Sequence, residues 1–358
     1  MKTKQIIYTA LIFIFSINLI GAQELDNNEL AKRILQKSLN VEEGDVIIVR
    51  GGQHTLSLME AFAIEARKIG AIAIPFINTD KITKSFYQDV PEKYYGNDNQ
   101  YYKDWTKIYD IWISLPTIEN YNEIIQDVPD EKIAKNKKSG QSFYDALNTF
   151  NVKGGYIAYP TKSMALDGKL DFNTFKKLQW KAINADYEEI AKKAEKLEKL
   201  LKSSKVIHVT TKKGTDISFS VQGRECFIGD GVVDKTDEKS SMFYHRWINF
   251  PDGKIFITAI ENSANGKIVV PKYVWRYKPL RNITFDVKNG KVLNFDAESG
   301  KNDFLNSWNQ YSEPKDMISG IRIGLNLELK VMEENAEYRP TIAEGMVAHN
   351  YILPNTLN

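Results

Sequence analysis

The chain has 358 residues, 42% hydrophobic and 26% charged, with 48 Lys+Arg against 46 Asp+Glu. That composition excludes collagen-like, low-complexity and largely disordered classes, and a formal net charge of +2 is too small to mark a nucleic-acid-binding protein. A single cysteine, Cys226, excludes an internal disulfide framework and a cysteine-rich zinc or iron–sulfur centre, and four histidines, His54, His208, His245 and His349, leave little material for a histidine-based metal centre.

At the N-terminus, Lys2 and Lys4 precede an apolar run from Ile6 to Ile20, and Gly21-Ala22 follow before Gln23. A basic segment, an apolar segment and small residues in that order predict a secretory signal peptide over residues 1–22. Ser16 and Asn18 interrupt the run, which is short for a membrane span of about 20 residues. The expectation is export, periplasmic or secreted, with no stable membrane insertion after cleavage. Cleavage removes two lysines and no acid, so the mature chain is formally neutral.

Residues 45–50 are a β-branched run entered through Gly44 and predict a buried strand. Gly51-Gly52 breaks it, and residues 56–68 carry Leu58, Ala61 and Phe62 at helical spacing until Gly70 stops the helix. Further strands are expected at 71–76, 108–115 and 155–159, with helices at 120–126 and 141–150. Residues 91–107, rich in Tyr, Asn, Asp and Lys, suggest an exposed insertion. Strands alternating with helices predict βαβ units and a mostly parallel sheet covered on both faces.

Residues 180–202 predict one long helix with Ile190, Ala194, Leu197 and Leu201 as its apolar stripe. Glu188–Lys192 and Glu195–Lys199 pair at i,i+4 on its solvated side, worth tenths of a kcal/mol each. Beyond Ser203-Ser204, strands are expected at 206–211, 216–221, 254–260, 267–270 and 282–288. Lys213-Gly214 marks a turn, and Asn265-Gly266 and Asn289-Gly290 favour tight hairpins. The expected organisation is a signal peptide over 1–22, an α/β domain over 23–204 and a β-rich domain carrying the cleft motifs over 205–358.

No G-x-G-x-x-G fingerprint, Walker lysine, G-x-S-x-G elbow or H-E-x-x-H helix occurs. Gly51-Gly52 is then a tight strand-to-helix turn, and Cys226 has no histidine close in sequence to make it a nucleophile. A longer signal is an ordered series: 214–224 (GTDISFSVQGR), 249–256 (NFPDGKIF), 261–266 (ENSANG), 319–326 (SGIRIGLN) and 345–349 (GMVAH). Leu30-Ala31-Lys32, 41–45 (VEEGD) and Tyr159-Pro160-Thr161 extend it toward the N-terminus.

This series resembles the thermophilic aminopeptidase T family of two-metal exopeptidases over nearly the whole mature chain. Ring-cleaving dihydroxypyridine dioxygenases are similar in architecture. The resemblance implies an α/β N-terminal domain with a mostly parallel sheet, a β-rich C-terminal domain, a cleft between them and a homodimer. It also implies metal-dependent N-terminal peptide hydrolysis with a divalent metal such as zinc, cobalt or manganese.

Carried over residue by residue, the family's first metal-binding glutamate falls at Lys254 and its bridging glutamate at Gly320. The iron-binding histidine of the dioxygenases also falls at Gly320. A following histidine falls at His349, and a closing His-x-Asp pair is met only by His349-Asn350-Tyr351, with tyrosine in place of the carboxylate. Two dications need carboxylates to offset their mutual repulsion, so this ligand set is degenerate.

Three readings follow. As an enzyme, His349 is a metal ligand or base and Glu261 or Glu344 a candidate ligand, with His349 and Glu261 as the catalytic residues. As a non-catalytic binding protein, Lys254, Arg322 and Tyr351 contact a small anionic or peptide ligand in the cleft. As a different enzyme on this scaffold, metal-free or with one metal, Lys254, His349 or Tyr351 supply acid–base chemistry.

Overall fold

The computed structural model describes residues 26–95, 104–125, 127–129, 132–133, 141–168, 170–275, 278–309, 316–329 and 348–349. The expected signal peptide, Glu344 and Tyr351 lie outside these. Among the described residues, no helix is long and apolar enough to cross a membrane.

Apolar runs bounded by glycine produce the parallel strands: β1 (Val46–Gly51), β2 (Ile72–Ile77), β3 (Ile111–Ser114) and β4 (Lys153–Ile157). The helices between or beside them are α1 (Asn27–Arg33), α2 (Leu56–Lys68), α3 (Asp80–Asp89), α4 (Tyr121–Ile125) and α5 (Gln141–Thr149). α6 (Lys162–Asp167), α7 (Phe172–Ile183) and α8 (Tyr187–Ser203) then lead to the β-rich region.

That region holds β5 (Val206–Thr210), β6 (Asp216–Ser220), β7 (Cys226–Gly229), α9 (Lys235–Glu238), β8 (Trp247–Phe250) and β9 (Lys254–Thr258). β10 (Asn265–Trp275), β11 (Lys278–Lys288), β12 (Lys291–Asp296), α10 (Lys301–Trp308), β13 (Gly320–Gly324) and β14 (Ala348–His349) complete it.

The first sheet has the order β2-β1-β3-β4-β8 and every pairing in it is parallel. Alternation sends Ile47, Val49, Ile111 and Ile113 into a core with α1 and α2, while Ile48 and Trp112 join Leu147 of α5 on the other face. Its edge strand β8 comes from beyond residue 204, so the α/β region is completed by a segment of the expected β-rich half.

Two antiparallel sheets, β12-β11-β10-β6-β5 and β14-β13-β9-β7, form the rest. Their inner faces, Ile217, Phe219, Ile268 and Phe285 against Ile255, Ile257 and Ile321, share one core with Leu201 of α8. Each such side chain contributes about 1.5–3 kcal/mol when fully buried. The α/β region with a parallel sheet and the β-rich antiparallel region agree with the fold class expected from sequence.

Three local expectations need correction. The single helix over 180–202 is two, because Asp186 turns its carboxylate to the Glu189 N–H and starts α8 afresh as an N-cap. On α8, Lys199 pairs with Glu195, but Lys192 reaches Glu189 and not Glu188. Asn265-Gly266 does not turn a hairpin but opens β10. A Cβ on Gly266 would lie 2.2 Å from the Asp216 carbonyl oxygen, so glycine is needed there for close approach to β6.

Candidate functional site

On the sheet β14-β13-β9-β7, the face turned away from the core carries Lys254, Phe256 and Thr258 of β9, Gly320, Arg322 and Gly324 of β13, and Phe227 of β7. Register places Arg322 opposite Phe256, and Phe256 opposite Phe227. On the other side, β14 sets His349 opposite Arg322. The Phe227 ring meets Tyr244 at 5.7 Å and His245 at 5.2 Å, in the turn that leads into β8. Through Phe227 this face meets the turn that leads into the parallel sheet, and it carries the motifs to which the resemblance assigns the cleft.

Lys254 begins β9 as a buried side chain. Its Nζ lies 3.0 Å from Oδ1 of Asp252, whose side chain is itself 2% exposed. Asp252 also accepts the N–H groups of Gly253 at 3.0 Å and Asn249 at 3.2 Å. Its backbone N–H donates to the Tyr187 hydroxyl, and its carbonyl accepts from Asn326 Nδ2 at 2.8 Å. The same amide donates to the Ala182 carbonyl, so this turn ties the end of α7 to the segment that follows β13. The ammonium thus sits inside a buried polar network that joins the two regions, where leaving one partner unpaired is costly.

Gly320 begins β13 with φ +155°, and a Cβ there would lie 2.1 Å from the Ile257 carbonyl oxygen and 2.8 Å from Thr258 Cα. A glutamate at this position has no room without moving β9. Gly320 also faces Thr258, whereas Lys254 faces Gly324 at the other end of the same ladder. The two positions are four residues apart along the strands, about 13 Å.

Glu261 lies past the far end of β9, exposed, and accepts a hydrogen bond from Arg224. A backbone hydrogen bond of its own residue, and then the Arg224 guanidinium, hold its carboxyl below the ordinary range. It is not brought to Lys254. Arg322 sits partly buried in the middle of the cleft face. Among the described residues, no group of three or more His, Cys, Asp or Glu is placed to hold a metal. The described residues do not fit the family's two-metal centre.

Burial pushes the Cys226 thiol up to about 11, which leaves it almost wholly protonated at neutral pH and consistent with a structural role. A maleimide or disulfide reagent at pH 8 should label it at least tenfold more slowly than a free thiol in a short peptide. Labelling at the peptide's rate would show an activated cysteine.

Sequence reasoning passed over the group beside the cleft: His245, Asp237 and Asp230. His245 Nδ1 is 4.0 Å from Asp237 Oδ1. Burial, then the Arg246 charge, lower the imidazole's pKa. Burial pushes Asp237 and Asp230 up to about 6 each. In the sequence Asp237 shows only as the third residue of the capping box that Asp234 opens, so its nearness to His245 is purely tertiary.

For Asp230, a folded pKa raised above the unfolded value makes ionisation destabilising. The penalty grows as pH rises from about 4 through 6 and is absent in acid. Asp230→Asn, which can still accept the Val232 N–H, is expected to gain about 1–2 kcal/mol at pH 7.5 and nothing near pH 4. Urea unfolding at both pH values reads this directly. An equal gain at both would remove the titration as its cause.

The model of the thermophilic metalloprotease family (M29) matches residues 23–310. No curated protein matches the chain. Among solved structures, wild-type AmpT from Thermus thermophilus aligns with a TM-score of 0.72 and 13% identity, over 90% of this chain and 83% of that one. A 2,5-dihydroxypyridine dioxygenase from Pseudomonas putida KT2440 aligns with a TM-score of 0.57 and 15% identity, over 90% and 84%. At such identities these two likenesses establish the fold alone. The family match spans most of the chain, from the first residue of the expected mature protein to the end of α10, and agrees with the fold and the ordered motifs: the chain belongs to the thermophilic metalloprotease family M29.

Proposed function

We propose that this chain is an exported aminopeptidase T-like protein whose two-metal centre has degenerated. It holds a small anionic or peptide ligand in the cleft without metal-dependent hydrolysis of N-terminal peptide bonds. Membership of the M29 family supports the aminopeptidase-like part. Activity belongs to the site and not to the fold, and the observation that carries the finer reading is Gly320. The backbone where the resemblance expects a bridging carboxylate is packed too tightly for any side chain.

Arg322 fits the role of ligand contact better than Lys254. Its guanidinium fork suits a carboxylate, and it shares a row of the cleft face with Phe256 and Phe227. Lys254 is instead engaged with Asp252. A metal-free acid–base enzyme is the second reading, favoured by His245, a group with a lowered pKa beside Asp237 and against Phe227.

The test is metal content of the mature chain after loading with zinc, cobalt or manganese and desalting. Substoichiometric metal is expected, with no hydrolysis of aminoacyl p-nitroanilides above a chelator control. Retention of about one or two metals per chain would overturn the degenerate-centre reading and assign ligation to a rebuilt set such as His349 with Glu344. Chelator-insensitive turnover abolished by His245→Gln would favour the second reading. Export predicts Gln23 as the N-terminal residue of protein recovered outside the cytoplasm. The homodimer implied by the resemblance is read by solution mass.

A further inference from the structure

In the parallel sheet the chain runs from β1 outward to β2, then back past β1 to β3. The loops leaving the carboxyl ends of β1 and β3 therefore diverge to opposite sides and open a crevice. Open α/β sheets hold ligands at such a reversal. A cavity of about 510 Å³ lies there, inside the 300–1,000 Å³ range of small-molecule sites.

The lining is built by register. Arg50, Ser114 and Tyr156 sit in one row across β1, β3 and β4, and all three border the cavity. The hydroxyl of Ser114 accepts a hydrogen bond from Trp112 Nε1 at 2.8 Å, which leaves its own proton to donate. Two residues nearer the start of β4, Gly154 makes room for an indole: a Cβ there would come 2.8 Å from Trp247 Cζ3. The Phe243 ring links Tyr144 at 5.6 Å to Trp247 at 6.0 Å, making an aromatic wall. Tyr144 is 48% exposed and stands where a ligand's ring could stack. Among the described residues of the lining, Arg50 is the one charged side chain.

We propose that this switch-point pocket binds a small aromatic carboxylate, its carboxylate on the Arg50 guanidinium and its ring against Tyr144 and Trp247. A planar fork matches a carboxylate bidentately, and aromatic walls favour an edge-on or offset ring over a flexible aliphatic acid. The pocket belongs to the parallel sheet and shares no residue with the cleft face of β9 and β13. The proposal therefore stands or falls independently of the fate of the metal centre.

The test is calorimetric titration of the mature full-length chain with 4-hydroxyphenylacetate, its neutral alcohol counterpart and glucuronate. 4-Hydroxyphenylacetate is expected to bind, with the alcohol and glucuronate each at least tenfold weaker. Arg50→Gln should weaken 4-hydroxyphenylacetate at least tenfold, about 1.4 kcal/mol. Tyr144→Ala, at a half-exposed ring whose loss the fold should tolerate, is expected to weaken it several-fold and keeps the test open if Arg50→Gln fails to fold. Trp247→Phe should remove ligand-induced quenching of tryptophan fluorescence while calorimetric binding persists. No binding at about 10 mM, equal affinity for the alcohol, tighter binding of glucuronate, or wild-type affinity in both the Arg50 and Tyr144 variants would each overturn the proposal.

Discussion

Replacing Gly320 with alanine is expected to destabilise the chain by about 3 kcal/mol or more, and replacing it with glutamate by at least as much without creating a metal site. Elsewhere a glycine-to-alanine change gains about 0.4–1 kcal/mol by restricting the unfolded chain. Here that gain is outweighed. A Cβ would lie 2.1 Å from the Ile257 carbonyl oxygen and 2.8 Å from Thr258 Cα, and both obstacles are backbone atoms that no rotamer change can move. Moving them means breaking the β9–β13 ladder, whose register runs from Gly320 opposite Thr258 to Gly324 opposite Lys254. The φ of +155° adds a second penalty for any residue with a side chain.

Urea unfolding of the two variants gives the energies, and metal content after loading gives the function. A Gly320→Glu protein of near wild-type stability that retained zinc would show that the strand admits a ligand. The reading that the backbone has closed over the ligand's place would then fail, and the loss of the centre would come down to one reversible substitution. Loss of stability without metal retention would mean that the ligand is absent because the backbone has closed over its place, not through one reversible substitution.

The strands of the parallel sheet and helix α2 were legible because their signals are local. Helix α2 spans Leu56–Lys68, as the apolar spacing and Gly70 predict. Asn289-Gly290 turns the hairpin between β11 and β12, with φ of 50° and 78° at the two residues. Asn265-Gly266 carries the same dipeptide and does something else, because the glycine there answers to β6 and not to its own chain. The return of β8 to the first sheet was illegible for a related reason: Trp247-Ile248-Asn249-Phe250 alternates like any strand, and nothing in it names β4 as its partner.

The candidate site followed the same division. The resemblance pointed to the segments that form β9 and β13, and the family it named is the family found. An ion pair and a ligand contact look alike in sequence, and of the two roles open to Lys254 the structure shows the pair, with Asp252 two residues away. The resemblance could not bring His245 to Phe227, a contact between segments that pair with different sheets.

Breaking the Asp252–Lys254 pair is expected to cost about 3–5 kcal/mol for Asp252→Ala and about 3 kcal/mol for Lys254→Met. The aspartate loss is the larger because Asp252 also accepts the Gly253 and Asn249 N–H groups, which the variant would leave unsatisfied as well as the ammonium. Lys254→Met leaves the carboxylate with those two donors and so exposes less unpaired charge. The double variant, Asp252→Asn with Lys254→Met, removes both charges and keeps an oxygen for the backbone donors. Its cost should fall at least about 1 kcal/mol below the sum of the two singles, Asp252→Asn and Lys254→Met, as coupled neighbours do.

The alternative role for Lys254, an anion contact in the cleft, makes the opposite prediction. Lys254→Met would then leave unfolding nearly unchanged and weaken binding of a peptide or carboxylate probe. Arg322→Gln provides the comparison: partly buried on the cleft face, it should cost less stability than Lys254→Met and more binding. If both variants lost binding equally while unfolding at wild-type urea concentrations, the buried pair would be a ligand site held closed. A large stability loss confined to Lys254→Met assigns the lysine to the joint between the two regions and leaves recognition in the cleft to Arg322.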